Sequence, residues 1–313
     1  MNQYKPEGAL IRTEKNYEYT KDTAALEEAL SRDLILEGVA TLCDHKLNLH
    51  VDLGAGIRAI IPREEVLSPS PGEQIKDIAI LTRVGKPVCF KVKGFERTAG
   101  GERIAVLSRR AAQEECRRLY VSALRPGDII PTKITHLESF GAFVDIGCGI
   151  TSLLSIDSIS VSRIAHPSAR LGEGDMIYTV VKTVDERGRI YVSERELLGS
   201  WEENASLFSE GETVKGIIRS VESYGIFVEL MPNLAGLAEY RADARVGQTA
   251  AVYIKSIIPE KMKIKLIIID MHDAPESPAP LEYFIDTDSV THMDSWLYSP
   301  KGCKKVVETV FGG

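Results

Sequence analysis

The sequence predicts an all-β protein made of three tandem five-stranded barrels, with an N-terminal helix, short helical connectors and a C-terminal extension. An internal repeat is the first reason: SFGAFVDIG at residues 139–147 returns as SYGIFVELM at residues 223–231. The second is the common order around both copies: a β-rich segment that opens with glycine and an acid, the aromatic strand, a short strand ending in leucine, and two final strands. Repeated units of this kind indicate small barrels, because closure removes the exposed edges of so short a sheet.

These patterns divide the chain into five segments. They are an N-terminal extension with a helix (1–36), a degenerate first barrel (37–121), a second barrel (122–204), a third barrel (205–271), and a linker with a C-terminal docking segment (272–313).

Local signals outside the barrels support this division. TKDTAALEEALSRDLIL (20–36) spaces Leu26, Leu30 and Leu34 four apart, as in an amphipathic helix. AAQEECRRLYV and ELLGSWEENASLF are typical of short helical connectors, and the Pro- and acid-rich HDAPESPAPLEYF (272–284) predicts a linker. The final SWLYSPKGCKKVVETVF is too apolar for a disordered tail, so we expect it to pack against the rest of the protein.

The first barrel is the weakest copy of the repeat. Asp52-Leu53-Gly54 corresponds to Asp145-Ile146-Gly147, but Leu47 and His50 stand where the other copies have rings. The barrel pattern is therefore kept here while the ring pair is lost.

Composition limits the classes of function. The chain of 313 residues has a formal net charge of −7, which argues against non-specific attraction to nucleic acid or anionic lipid. Apolar runs of signal-peptide or membrane-spanning length are absent, so we expect a cytoplasmic protein without a membrane partner. The five cysteines are scattered and odd in number, which favours reduced thiols over disulfides or a zinc site.

The sequence contains no pattern typical of catalysis. The six histidines have no metal-ligand spacing, and HExxH, GxSxG and Walker-type motifs are missing. GAGIRA (54–59) matches a loose dinucleotide fingerprint, but a short apolar stretch with Pro62 follows where a long helix is required. We therefore expect no enzyme activity, no cofactor and no metal.

The repeated rings are the strongest functional signal. Phe140 and Phe143 are three apart and so lie on opposite faces of a strand, which means that only one of them can follow the core side. Small five-stranded barrels with exposed aromatics bind single strands, because every base has a π-face that stacks on a ring. The alternative is that one ring plugs the barrel and the other covers its mouth. Both rings recur around an unchanged glycine in two barrels, which favours a role in nucleic-acid binding over this alternative. The candidate contacts near the second barrel's rings are Lys133, His136, Lys182, Asp185 and Arg189.

The stretch GDII…SFGAFVDIG…HPSARLGEGD…VDERGRI closely resembles the S1 RNA-binding domain, and specifically the repeats of the bacterial ribosomal protein of that family. This resemblance implies an oligonucleotide-binding (OB) fold. It also implies RNA contacts at the two strand aromatics, at a histidine in the following strand, and at an acid and an arginine near the last hairpin.

Carried onto the second barrel, the implied contacts are Phe140, Phe143, Asp185 and Arg189, with Ser155 at the histidine position. In the third barrel Tyr224 and Phe227 remain and Lys263 stands for the arginine, whereas Glu239 and Ile258 replace the histidine and the acid. The first barrel keeps Glu96 and Arg103 without the rings.

The resemblance implies a monomeric, non-enzymatic bacterial protein that binds single-stranded RNA, mRNA in particular, and acts in translation on the 30S ribosomal subunit. One alternative is an interaction protein that docks onto a ribosome, RNA polymerase or a ribonuclease, with RNA contact secondary. The acidic balance and the degenerate first repeat favour that alternative. A third hypothesis is an accessory subunit of a ribonuclease, for which the sequence offers no catalytic residues.

Overall fold

The computed structural model describes residues 3–54, 56–68, 76–98, 100–273 and 281–312. It contains two compact units: Met1–Leu124 with Asp145–Thr151, and Arg125–Val144 with Ser152–Gly313. The described residues form three closed five-stranded barrels, which confirms the predicted fold class. Residues 274–280 of the predicted linker lie outside the described ranges. Within those ranges no helix is long and apolar enough to cross a membrane.

The first unit holds two N-terminal helices and the first barrel. The helices are α1 (Glu14–Thr20) and α2 (Thr23–Ser31), and the later helices are α3 (Asp77–Leu81) and α4 (Arg109–Leu119). The barrel strands are β1 (Leu36–Cys43), β2 (Leu49–Asp52), β3 (Arg58–Ile61), β4 (Pro87–Arg97) and β5 (Arg103–Ser108).

The N-terminal helix differs from the one that the leucine spacing predicts. The chain leaves the helix after Ser31, and Asp33 adopts a left-handed conformation with φ of 53°. Leu26 is fully buried, whereas Leu30 is 37% exposed and Leu36 already belongs to β1. Helix α1, capped by the Thr13 side chain, is an additional helix that the sequence patterns did not reveal.

The second unit holds the other two barrels. The second barrel is formed by β6 (Ile129–Glu138), β7 (Gly141–Asp145), β8 (Thr151–Ser155), β9 (Met176–Val184) and β10 (Ile190–Ser193). Helix α5 (Trp201–Ala205) leads to the third barrel, formed by β11 (Thr213–Glu222), β12 (Gly225–Met231), β13 (Leu234–Ala238), β14 (Thr249–Ile258) and β15 (Lys263–His272). All three barrels share one topology, in which the third and fifth strands pair in parallel.

One buried carboxylate joins the two barrels of the second unit. Glu229, at the end of the aromatic strand β12, accepts two hydrogen bonds from the Arg170 guanidinium at 2.9 and 2.6 Å. It accepts two more from Arg219 of its own barrel at 2.8 and 2.9 Å. Nearby, the Asn233 side chain accepts from the Val161 N–H and donates to the Arg195 carbonyl. Because Arg170, Glu229 and Asn233 are buried, these polar groups depend on one another for their partners.

The C-terminal segment (residues 281–312) lies against both barrels of this unit and carries the short strands β16 (Ser295–Leu297) and β17 (Glu308–Val310). Trp296 is buried in the core cluster of the third barrel, whereas Phe311 is buried beside strands of the second. The Met293 N–H donates to the Gly127 carbonyl at 2.9 Å. A Cβ at Gly127 would lie 2.2 Å from the Met293 carbonyl oxygen, so only glycine admits the segment there.

The segment also covers a buried acid, Glu194, which follows β10. The Tyr283 hydroxyl donates to this carboxyl at 3.4 Å, and burial raises the pKa of Glu194 to about 8. The folded protein therefore keeps Glu194 protonated at neutral pH, whereas the unfolded chain ionises it near its ordinary pKa of 4.5.

This difference predicts how Glu194→Gln changes stability. The parent should lose stability as pH rises from 5 to 8, on the order of a few kcal/mol from this group, because a tenfold difference in proton affinity corresponds to about 1.4 kcal/mol. The variant has no proton to lose, so its thermal midpoint should rise relative to the parent across that range. Midpoints measured at four pH values test this, and parallel pH curves for parent and variant would contradict it.

Candidate nucleic-acid interface

Both rings of the second barrel lie on its surface. Phe140 occupies the turn before β7 and is 53% exposed, and Phe143 is half-buried on the outer face of that strand. Their centroids are 6.0 Å apart with planes at 89°, an edge-to-face pair. The barrel interior is filled by Ala142 and Val144, both fully buried. Neither ring plugs the barrel.

The third barrel repeats this geometry. Tyr224 is 68% exposed in the turn before β12, and Phe227 is half-buried on the outer face. The centroids are 6.2 Å apart at 87°. Two barrels of one unit therefore present the same pair of rings, one protruding and one lying along the strand.

The glycine between the rings is required by the neighbouring strand. A Cβ at Gly141 would lie 2.4 Å from the Leu154 carbonyl oxygen, and one at Gly225 would lie 2.6 Å from the Ala238 carbonyl oxygen. The Phe140 carbonyl also accepts a hydrogen bond from the Ile156 N–H at 2.9 Å. The aromatic strand thus begins pressed against the next strand, and the residue before the glycine is directed out of the barrel.

His136 lies on β6, next to the aromatic strand. Its neighbour Thr135 donates to the Phe143 carbonyl at 3.0 Å. The His136 ring nitrogens lie 2.8 Å from Glu173 and 3.0 Å from Glu138. These hydrogen bonds, that to Glu173 first, raise the pKa of His136 and favour a cationic ring beside the aromatic pair.

The predicted acid and arginine lie on the hairpin between β9 and β10. The Asp185 carboxylate accepts from the backbone N–H groups of Arg187 and Arg189 and from the Arg189 side chain, at 2.8 to 2.9 Å. The backbone hydrogen bond from Arg189 is the main reason that the pKa of Asp185 is lowered. Asp185 therefore shapes the turn and orients the exposed Arg189.

The remaining predicted residues are more dispersed. Lys133 is half-buried on β6, and the Lys182 ammonium donates to the Ser158 hydroxyl at 2.9 Å. Ser155, at the histidine position of the family, donates to the same hydroxyl at 2.9 Å. Lys263 is exposed at the start of β15.

The first barrel presents a different surface. Leu47 packs against the barrel core, and His50 lies 3.5 Å from Asp44. Arg103 lies over the Phe95 ring at 4.1 Å from its centroid. Arg103 also forms an ion pair with Glu27 of helix α2, so the arginine of the family pattern is occupied by contacts within the first unit. Among the described residues of the whole chain, no three His, Cys, Asp or Glu side chains are placed to hold a metal ion.

The sequence patterns missed one ring on the second barrel. Tyr191 lies half-buried on β10, between the buried Ile190 and Val192, and faces Leu153 of β8. It is not repeated in the third barrel, where Lys265 faces Leu237. The alternation of buried and outward residues in RIYVSE is the signal that could have located it.

Comparison with known proteins relates part of the chain to a known family. Residues 123–195 match the S1 RNA binding domain. The second barrel thus matches this family, and the chain as a whole resembles ribosomal protein bS1. Small ribosomal subunit protein bS1 of Leuconostoc lactis is 30% identical over 188 residues, which cover 55% of this chain and 44% of that protein. The protein of the same name from Staphylococcus saprophyticus is 28% identical over 298 residues, which cover 90% of this chain and 69% of the relative.

The chain thus spans less than half of the first relative and about two thirds of the second. Among solved structures, a multidomain protein with nucleic acid binding domains from Streptococcus pneumoniae is 15% identical. That match covers 76% of this chain and 74% of the other, with a TM-score of 0.25.

The close approach of the Leu154 backbone to Gly141 predicts that Gly141→Ala destabilises the second barrel. The new methyl group must displace the Leu154 backbone, which should cost about 1–3 kcal/mol and lower the thermal midpoint. Gly94→Ala is the matched control, because Gly94 also lies in a strand but has no atom within 4 Å of its Cβ position. Equal midpoints for the two variants would contradict the steric argument.

Proposed function

We propose that this protein binds single-stranded RNA on the outer faces of its second and third barrels. The observation that carries the proposal is the pair of exposed, edge-to-face rings that both barrels present in one geometry. Exposed rings are costly to leave in water, and each one offers a flat face on which a splayed base can stack.

The same geometry favours single strands over duplex. In an A-form helix the base faces are stacked on each other and cannot reach a protein ring. Phe140 and Tyr224 protrude from turns and are therefore placed to contact an unpaired base from one side, while Phe143 and Phe227 extend the apolar surface along the strand.

Charge contributes less than stacking in the second barrel. Residues 122–200 have eight Lys and Arg (125, 133, 163, 170, 182, 187, 189, 195) against ten Asp and Glu (128, 138, 145, 157, 173, 175, 185, 186, 194, 196). Arg170 is buried with Glu229 and so is unavailable to phosphates. The cations that remain on the surface include the exposed Arg189 and His136, and they guide a strand toward the rings.

We infer a role in translation from the relatives. Two proteins named for the small ribosomal subunit align with this chain, one of them over 90% of its length. Our proposal is that the bound strand is mRNA, that the protein acts on the 30S subunit in the bacterial cytoplasm, and that it does so as a monomer without catalysis.

Ring substitutions test the RNA-binding proposal. Phe140→Ala with Phe143→Ala should weaken binding of a labelled oligouridine at least about tenfold, because stacking on a ring is worth roughly 1–3 kcal/mol and 1.4 kcal/mol is a factor of ten. Tyr224→Ala with Phe227→Ala should cost less, because the third barrel lacks the acid of the family pattern. Leu47→Ala with His50→Ala should change affinity little.

Fluorescence anisotropy provides the affinities, and a thermal melt shows that each variant is folded. Tyr17→Ala is the control for loss of an exposed ring, because Tyr17 is 70% exposed on α1. A folded Phe140/Phe143 variant that binds like the parent would overturn the proposal and favour a protein whose main ligands are other proteins.

A further inference from the structure

The second and third barrels carry the same row of outward side chains across their strands. In the third barrel, Phe227 on β12 faces Leu237 on β13, and Leu237 faces Lys265 on β15. In the second barrel, β7 and β8 are neighbours, and Phe143 and Leu153 are the repeat counterparts of Phe227 and Leu237. Tyr191 on β10 faces Leu153. The third residue of this row is thus a tyrosine in the second barrel and a lysine in the third.

Burial shows that these side chains point outward. Ile190 and Val192, on either side of Tyr191, are buried, whereas Tyr191 is only half-buried. In β15 the buried residues are Ile264 and Leu266, and Lys265 between them is exposed. The alternation places each residue on the same side of its barrel as Phe143 or Phe227.

The spacing sets what Tyr191 can do. Neighbouring strands lie about 4.8 Å apart, and β8, which carries Leu153, lies between β7 and β10. The backbones at Phe143 and Tyr191 are therefore about 10 Å apart. That is beyond the distance of about 4.5–7 Å at which two rings stack on each other. Tyr191 therefore offers a second platform, separate from the Phe140–Phe143 pair, with an apolar floor between them.

We propose that Tyr191 stacks on a further base of the strand bound by Phe140 and Phe143, and that Lys265 binds a phosphate at the matching position of the third barrel. This inference rests on the proposed RNA binding. It gives the two S1-type barrels different tasks on one RNA: the second holds bases on three rings, and the third combines two rings with a positive charge.

The two tasks predict different responses to salt. A phosphate contact on a single strand adds roughly −0.7 to the slope of log affinity against log salt, whereas stacking adds little. Lys265→Ala should therefore weaken binding and make the slope shallower by about 0.7. Tyr191→Ser should weaken binding by about fivefold or more with the slope unchanged. Tyr191→Phe keeps the ring and should bind within about twofold of the parent.

The test measures oligouridine affinity by anisotropy over a series of salt concentrations for these three variants. Lys301→Ala controls for loss of an exposed cation and Tyr17→Ala for loss of an exposed ring. Tyr191→Lys adds a gain-of-charge arm, which should lose stacking affinity and steepen the slope by about 0.7. Thermal melts establish that each variant is folded.

The outcomes separate this inference from the proposed function. If Phe140→Ala with Phe143→Ala weakens binding but Tyr191→Ser does not, RNA binding stands and the second platform at Tyr191 is wrong. If Tyr191→Phe loses as much as Tyr191→Ser, the hydroxyl and not the ring is the contact, which also overturns stacking. An unchanged salt slope for Lys265→Ala would rule out the proposed contact between Lys265 and a phosphate. If no ring variant changes affinity, the proposed function itself fails.

Discussion

The contact between the start of the aromatic strand and the backbone of the next strand fixes the geometry of the candidate site. At Gly141 and Gly225 the neighbouring carbonyl oxygen occupies the space of a side chain. The backbone there takes φ of 158° and 153°, values that glycine adopts at low cost. Phe140 and Tyr224, which precede these glycines, are consequently directed into solvent, and Phe143 and Phe227 lie edge-to-face beside them. A barrel closed less tightly at this point would not present two rings together.

The two ring-bearing barrels act as parts of one unit because their shared polar contacts are buried. Glu229 pairs with two guanidiniums at once, so removing Glu229 leaves the buried Arg170 without its carboxylate partner. Asn233 and the C-terminal segment add hydrogen bonds from the third barrel to the second. The folded protein thus fixes the position of one ring pair relative to the other. An RNA strand that contacts both pairs binds a preorganised surface, which lowers the conformational entropy lost on binding.

The sequence predicted the three barrels and the ring pairs because both depend on local patterns: a repeat, strand-length apolar segments, and rings around a glycine. It did not predict contacts that join distant residues. His136 with Glu173 and Arg170 with Glu229 depend on the folded topology. Tyr191 was missed because only one barrel has a ring there. The helix prediction from Leu26, Leu30 and Leu34 was too long, because Asp33 in a left-handed conformation ends the helix early.

Ultraviolet cross-linking of the bound strand tests most directly where RNA lies. Uridine in van der Waals contact with a ring forms a covalent adduct, and mass spectrometry of the digested complex identifies the modified residue. We expect adducts at Phe140 or Phe143, with a second set at Tyr224 or Phe227. Adducts confined to the first barrel or to helices α1 and α2, with none on the ring-bearing strands, would contradict it.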